Sequence, residues 1–138
     1  MQFSIDNVGI SGTPFLTFTI NTSPNKGFTQ DDLDNDLTAC VITGNNKVGK
    51  GEIGDKLFGK VVWVSQELQA GTTIPALCAV QARGVARFKY DRRPPFLGES
   101  VLPQKDGKVI GSPTGDGLNL RGIVIAVDEE NQTCDLWL

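Results

Sequence analysis

The chain contains no histidine, and this absence limits the chemistry that it can carry out. Ser-His and Cys-His nucleophile pairs both need an imidazole base, so both are excluded. A carboxylate pair or a lysine base stays open, but no acidic residue lies in a recognisable catalytic motif. We therefore predict that the protein is not an enzyme.

Long apolar runs are also missing. No stretch approaches the ~20 apolar residues of a membrane-spanning helix, and the opening MQFSIDNVGISG lacks the charged and apolar regions of a signal peptide. We predict no membrane partner. Cys40, Cys78 and Cys134 cannot all pair within one chain, and each lies among apolar residues. We therefore expect buried free thiols in a protein that folds in a reducing cytoplasm.

Positive charge is not in excess. The 13 Lys and Arg residues against 16 Asp and Glu give a net charge of −3, whereas nucleic-acid binders are usually basic. The charge is nevertheless uneven, because an acidic cluster precedes a basic segment with interleaved aromatic residues. The acidic cluster is Asp31, Asp32, Asp34 and Asp36; the basic segment contains Arg83, Arg87, Phe88, Lys89, Tyr90, Arg92, Arg93 and Phe96.

The basic segment has three interpretations. It is an ordinary strand with a solvated charged face, an interface for an acidic protein partner, or a surface where aromatic residues stack on single-stranded nucleic acid. The acidic character of the rest of the chain would repel phosphates, so no nucleic-acid partner is expected.

Two binding motifs are suggested and then fail. Gly49, Gly51 and Gly54 spell the dinucleotide fingerprint G-x-G-x-x-G, but no helix follows to receive a pyrophosphate. The acidic cluster resembles the opening of a calcium loop, yet Leu37 and Thr43 occupy the positions that need glycine and glutamate. We predict neither a cofactor nor a metal.

The sequence reads as short strands separated by turns. Sixteen glycines and seven prolines are spread along the 138 residues, and between them lie β-branched and aromatic runs. We predict one all-β domain over residues 1–138, a small barrel or sandwich with Gly-rich hairpin loops. The predicted strands are Phe15–Ile20, Thr38–Thr43, Val61–Ser65, Ala76–Gln81, Val85–Tyr90, Gly122–Val127 and Thr133–Leu138.

Periodicity within these runs predicts which side chains are buried. In VARFKY, one face carries Ala86, Phe88 and Tyr90; in the last run, Asp135 and Trp137 alternate with apolar residues. The runs VVWV and IVIAV are continuously apolar, so we expect both faces of those strands to be covered. The last two strands should form a hairpin with DEENQ as its loop.

Helical signals are few. We allow at most one short helix, over Thr29–Leu37, with Thr29 as its N-cap and acidic residues in its first turn. Residues 1–14 contain few apolar side chains, and we expect them to form an extended N-terminal arm.

The stretch TACVITGNNKVGKGEIGDKLFGKVVWVSQE carries a T-G-N-x-x-V-G-x-G motif and a G-D-x-L-F-G motif between two predicted strands. The stretches LGESVLPQKDGKVIG and RGIVIAVDEENQTCDLWL follow it. Through these three stretches, residues 38–138 resemble the small capsid-decoration (cement) proteins of tailed bacteriophages. The first is similar to a strand, the two motifs and a second strand of that family, the second to a further unit and the third to the family's closing hairpin. The basic segment is bulkier than the mild strand expected there.

This resemblance implies a β-barrel that binds the outer surface of a phage head and bridges subunits of the major capsid protein. It also implies a homo-oligomer, with a homotrimer favoured, that is made in the host cytoplasm and located on the virion. Another virion β-module, from a tail or connector, is an alternative, and a single-stranded nucleic-acid-binding barrel is a weaker one. For the coat contact we expect Arg83, Arg87, Lys89, Tyr90, Arg92 and Arg93, together with Met1 and Phe3 of the arm.

Overall fold

A computed structural model of the protein describes residues 15–65, 76–112 and 120–138. Nearly all of the regular structure in these ranges is β-strand, which confirms the all-β prediction. The elements are β1 (Phe15–Ile20), α1 (Gln30–Asp34), β2 (Ala39–Gly44), β3 (Lys47–Gly49), β4 (Gly59–Val64), β5 (Leu77–Gln81), β6 (Val85–Lys89), β7 (Val101–Gln104), a 3-10 turn (Lys105–Gly107), β8 (Lys108–Gly111), β9 (Ile123–Asp128) and β10 (Thr133–Trp137).

Five strands close into a barrel in the order β1-β3-β2-β4-β5. Strand β1 closes the ring because it pairs with β5 in antiparallel orientation and with β3 in parallel orientation. The remaining neighbours in the barrel are antiparallel. This closure confirms the predicted small barrel. Because a closed barrel has no edge strand, it offers a partner its outer face rather than a strand edge.

Outside the barrel, β6, β10 and β9 form an antiparallel sheet in that order. The β9–β10 connection is the predicted closing hairpin. Its turn is held by the carboxylate of Asp128, which accepts hydrogen bonds from the backbone nitrogens of Glu130 (3.1 Å) and Asn131 (3.2 Å). Strands β7 and β8 form a separate two-stranded hairpin, and a bridge from Tyr90 to Val109 joins this hairpin to the end of β6.

Two hydrophobic clusters form the core. One is built by the barrel strands with Phe28, and the other lies among β6, β9, β10 and the β7–β8 hairpin. Strand β2 serves both, because its successive side chains point in opposite directions: Ala39 belongs to the second cluster and Cys40 to the barrel cluster. Cys78 and Cys134 are also buried, one in each cluster, and all three thiols are free, as predicted.

Polar side chains link the barrel to the second sheet. The guanidinium of Arg121 donates to the carbonyl oxygens of Phe58, before β4, and Ala82, after β5. Burial lowers the pKa of Arg121. Lys60 of β4 donates from Nζ to the carbonyl oxygen of Arg87 in β6 at 2.8 Å. Hydrogen bonds from cations to backbone carbonyls thus hold the two sheets in a fixed relation.

The short helix is present with the predicted N-cap. The hydroxyl of Thr29 accepts a hydrogen bond from the backbone nitrogen of Asp32, and the Asp32 carboxylate accepts one from the Thr29 nitrogen, which is a capping box. Helix α1 is shorter than the predicted Thr29–Leu37. The helix ends at Asp34, and two residues later Asp36 adopts a positive φ of 58°, which is not a right-handed helical conformation.

All seven predicted strands are present, with ends shifted by at most two residues. Three strands were not predicted: β3, β7 and β8. Strand β3 is only three residues long and lies in a glycine-rich segment. Strand β7 contains Pro103, which has no backbone N–H and usually indicates an edge or a loop.

The expectation that VVWV and IVIAV are covered on both faces is wrong. Trp63 of β4 is 53% exposed, and Ile123 and Ile125 of β9 are 45% and 47% exposed. The inner faces pack on the core, but no residue of the described ranges covers these outer side chains. An antiparallel sheet with one solvated face usually carries polar residues on it, so the apolar outer faces need a separate explanation.

Gly107, in the β7–β8 turn, should be costlier to replace than Gly98. Gly107 has a φ of +75°, and a Cβ there would collide with the carbonyl of Leu37. Gly98 has a similar φ of +82° but open space around it. We expect Gly98→Ala to lower the free energy of unfolding by about 1–2 kcal/mol through backbone strain alone, and Gly107→Ala by at least ~1 kcal/mol more through the collision.

Urea unfolding of both variants and the wild type measures this difference. Equal losses would contradict the close packing of the β7–β8 turn against the segment that leads into β2.

Candidate partner-binding surface

The predicted basic residues do not form one patch of free cations. Arg87 lies on the outer face of β6 and is bound to Asp135 of β10, with Nε–Oδ1 and Nη2–Oδ2 distances of 2.8 and 3.2 Å. This hydrogen bond raises the pKa of Arg87. Lys89 donates from Nζ to the carbonyl oxygen of Asn131 at 3.0 Å. Arg83 is exposed in the turn between β5 and β6.

Of two further predicted contact residues, Tyr90 is buried and Arg92 is exposed. Tyr90 is only 5% exposed and belongs to the second core cluster, so its ring cannot meet a partner. Burial also raises the pKa of Tyr90. Arg92, in contrast, is exposed, with a φ of +65° and its Nε 3.7 Å from a carboxylate oxygen of Asp91. Met1 and Phe3 lie outside the described residues.

The segment after β6 is organised by Glu99. Its carboxylate accepts from Arg93 Nη2 at 2.7 Å and Nη1 at 3.3 Å, and from the backbone nitrogen of Phe96 at 2.7 Å. The Arg93 guanidinium carbon lies 4.8 Å from the centre of the Phe96 ring. These contacts fix a loop whose tip, Phe96 and Leu97, is 67% and 71% exposed.

An exposed apolar row crosses the second sheet beside this loop. Val85 of β6, Trp137 of β10 and Ile123 of β9 are direct cross-strand partners, and they are 55%, 60% and 45% exposed. We call these three residues the outer row. Side chains in direct register across neighbouring strands are about 5 Å apart at Cβ, so the outer row is a continuous apolar strip.

A groove lies between β9 and the loop. Ile125, two residues after Ile123 on β9, lines an open groove of about 830 Å³ together with Phe96 and Leu97. Two backbone hydrogen bonds attach the loop to Val124 of β9. Gly98 N donates to Val124 O (2.7 Å), and Val124 N donates to Glu99 O (2.9 Å). We call the six exposed residues the apolar surface: Val85, Phe96, Leu97, Ile123, Ile125 and Trp137.

The barrel also exposes apolar side chains, but they are less continuous. Trp63 of β4 is in register with Ala79 of β5, which is in register with Thr17 of β1. Small and polar residues therefore separate Trp63 from Phe15, which is 59% exposed. Among the described residues, the second sheet and its loop offer the better-formed contact surface.

The thiols of the described ranges are unsuited to nucleophilic chemistry. Burial raises the pKa of Cys78 to about 11 and that of Cys134 to about 12, and it raises the pKa of Cys40 further. A thiolate is the reactive form of cysteine, so these side chains act as small apolar residues. No group of three His, Cys, Asp or Glu residues in residues 15–65, 76–112 and 120–138 is arranged to hold a metal ion.

No helix in the described part of the chain is both long and apolar enough to cross a membrane. Comparisons of the chain with protein-family models, with curated proteins and with solved structures found no match.

Sequence reasoning missed most of the apolar surface, although two signals were present. The alternation in the last strand placed Trp137 on the side opposite the core, where a large aromatic residue is uncommon without a partner. The run IVIAV was apolar on both faces. Phe96 gave a weaker signal, because it was grouped with the basic residues, and Leu97 gave none.

We expect Glu99 to stabilise the loop in a pH-dependent way. Burial alone would raise the pKa of Glu99, but hydrogen bonds from Arg93 and from the Phe96 nitrogen lower it below its ordinary value of 4.5. A lowered folded-state pKa means that the stabilisation is fully present above the unfolded-state pKa and is lost as the pH falls through the folded-state pKa.

Glu99→Gln should therefore lower the free energy of unfolding at pH 7 by about 1–2 kcal/mol, toward the lower end because Arg93 is 35% exposed. The difference from the wild type should shrink as the pH falls below about 4. Urea unfolding at a series of pH values from about 3 to about 7, a range that spans the ordinary pKa of a carboxyl group, measures this difference. Glu52→Gln is the matched control, since its pair with Lys26 is long, at 3.9 Å, and exposed. A difference that does not vary with pH would contradict the assignment.

Proposed function

We propose that the protein is a capsid-stabilising decoration (cement) protein that binds the outer surface of a tailed-phage head. In this proposal it works without catalysis, bridges subunits of the major capsid protein and assembles as a homo-oligomer, with a homotrimer favoured. The observation that carries the proposal is the apolar surface, displayed on a rigid β-scaffold and left uncovered by the described residues. The resemblance of residues 38–138 to phage decoration proteins supplies the particular partner.

The physical basis of this function is adhesion. A shell fails where its coat subunits separate, and a protein that contacts several subunits raises the free energy needed for that separation. Individual contacts can be modest because linked contacts act at high effective concentration. A symmetric oligomer on a symmetric shell also repeats one small interface many times.

The loop tip is the best candidate for the coat contact. Phe96 and Leu97 are the two most exposed large apolar side chains among the described residues, and Glu99 holds the loop before any partner arrives. A preorganised loop loses little conformational entropy on binding. Arg92 lies in the same segment and is exposed, so it can add a contact to an acidic coat residue. Arg87 and Arg93 are already paired with carboxylates within the chain.

The nucleic-acid alternative finds less support. Stacking on bases requires exposed aromatic faces beside free cations. Phe88 and Tyr90 are buried, and the neighbouring Arg87 is paired with Asp135. Copy number distinguishes a cement protein from the alternative, a tail or connector module. A cement protein is present in many copies per shell, and a connector in a few.

The direct test is co-sedimentation with purified shells that lack the protein. We expect the wild type to pellet with the shells at many copies per particle. We expect the double variant Phe96→Ser, Leu97→Ser to bind at least about tenfold more weakly, because exposed aromatic and aliphatic side chains at the centre of a contact dominate its energy. Ile53→Ser is the control, since Ile53 is 53% exposed but lies outside the apolar surface.

Two outcomes would contradict the proposal at different levels. Failure of the wild type to bind any shell would end it. Equal binding by the double variant would remove the loop from the contact. Repeating the assay at high salt separates the remaining cations from the apolar residues: a large loss of binding would indicate Arg83, Lys89 and Arg92, and a small loss would indicate the loop tip, because salt screens exposed charges.

A further inference from the structure

The outer row is a second contact feature, distinct from the loop tip. Val85, Trp137 and Ile123 come from three different strands but stand in one cross-strand register. Each is about half exposed, while the buried residues next to them, Ala86, Leu136 and Val124, form the core beneath. The sheet therefore has an apolar inner face and an apolar strip on its outer face.

An exposed strip of this kind is costly for a free monomer. Apolar area that stays in water is unfavourable relative to buried area, and contiguous exposed patches usually mark interaction sites. A tryptophan is an especially strong indicator, because Trp is enriched at the energetic centres of protein interfaces. The strip needs a partner that presents apolar side chains to the outer face of this three-stranded sheet.

The charges beside the strip define that partner further. The next cross-strand pair, Arg87 and Asp135, is an ion pair with a shortest distance of 2.8 Å. Within the part of the chain that the structure describes, the strip is therefore bordered by a neutral pair, although the whole chain carries a net charge of −3. Two copies that meet at this face bring apolar residues together without adding like charges at the centre.

We infer that the outer row is a contact face between copies of this chain, where the rows of neighbouring copies pack against one another. The partner must be apolar and must not bring unbalanced charge to the strip. A second copy meets both requirements, because it presents the same apolar strip and the same neutral border. A stable interface buries about 800 Å² per partner, so the row forms the centre of the contact and the surrounding polar residues form its rim. The inference names the face behind the proposed homo-oligomer but needs no coat protein, so the two can fail separately.

The chain provides its own matched control. It contains two tryptophans: Trp137 in the outer row is 60% exposed, and Trp63 on the barrel is 53% exposed. Replacing one leaves the other as the single fluorescent reporter of its own face. Both side chains are largely in solvent, so neither Trp137→Ser nor Trp63→Ser should unfold the protein, which circular dichroism checks.

The experiment is sedimentation equilibrium of the full chain up to about 0.1 mM, a range in which micromolar association is fully visible. We expect the wild type and Trp63→Ser to associate equally. We expect Trp137→Ser to associate at least about tenfold more weakly. In the Trp63→Ser variant, emission from Trp137 should shift to shorter wavelength as the concentration rises, because its indole leaves water.

A second pair of variants guards against an unforeseen folding effect. Ile123→Lys places a charge in the outer row and should abolish association, whereas Ile53→Lys, at a similarly exposed position outside it, should leave association unchanged. A wild type that stays monomeric throughout would overturn the inference. So would association that persists in both Trp137→Ser and Ile123→Lys. If Trp137 emission is already blue-shifted in a monomer, the row is covered within one chain, which also overturns it.

Discussion

Closure of the barrel by β1 determines which surfaces of the protein are free for contact. Strand β1 pairs with β5 on one side and β3 on the other, and these pairings turn an open sheet into a ring without edges. Once the barrel is closed, its outer faces and the attached second sheet are what remain for contact with other molecules. Strand β2 belongs to both parts of the core, because Ala39 contributes to the second core cluster and Cys40 to the barrel cluster.

The second sheet is therefore held as a rigid platform. Arg121 and Lys60 connect it to the barrel through hydrogen bonds to backbone carbonyls, and Glu99 organises the loop that borders it. Such a platform displays apolar side chains at fixed positions, which is what adhesion requires. The thiols of the described ranges do not contribute to this platform's outer face, since they are buried and their pKa values are raised.

The fold was largely predictable because its signals are local. Alternation in VARFKY and in the last strand correctly divided buried from exposed residues, and Thr29 correctly marked a helix start. The candidate surface was harder to predict because its logic is non-local. The sequence shows that Arg87 and Arg93 are cations, but it does not show which carboxylates pair with them. Asp135 is 48 residues away from Arg87, and Glu99 reaches Arg93 only because the loop folds back.

The apolar surface was not predicted from the sequence, for a related reason. A continuous apolar run predicts a strand covered on both faces, and it does not say whether the second cover comes from the same chain or from another. In β9 no described residue supplies that cover. The prediction that IVIAV is covered on both faces was therefore wrong about its outer face, which we propose is a contact surface.

We propose that this protein acts through contacts made by the outer side of the β6–β10–β9 sheet and its loop. Hydroxyl-radical footprinting of the assembled, shell-bound protein, compared with dilute free protein, tests this proposal because it reports the solvent exposure of individual side chains. Oxidation of Trp137, Phe96 and Leu97 should fall on assembly while that of Trp63 stays unchanged. Protection of Trp63 with undiminished oxidation of Trp137, Phe96 and Leu97 would contradict the account.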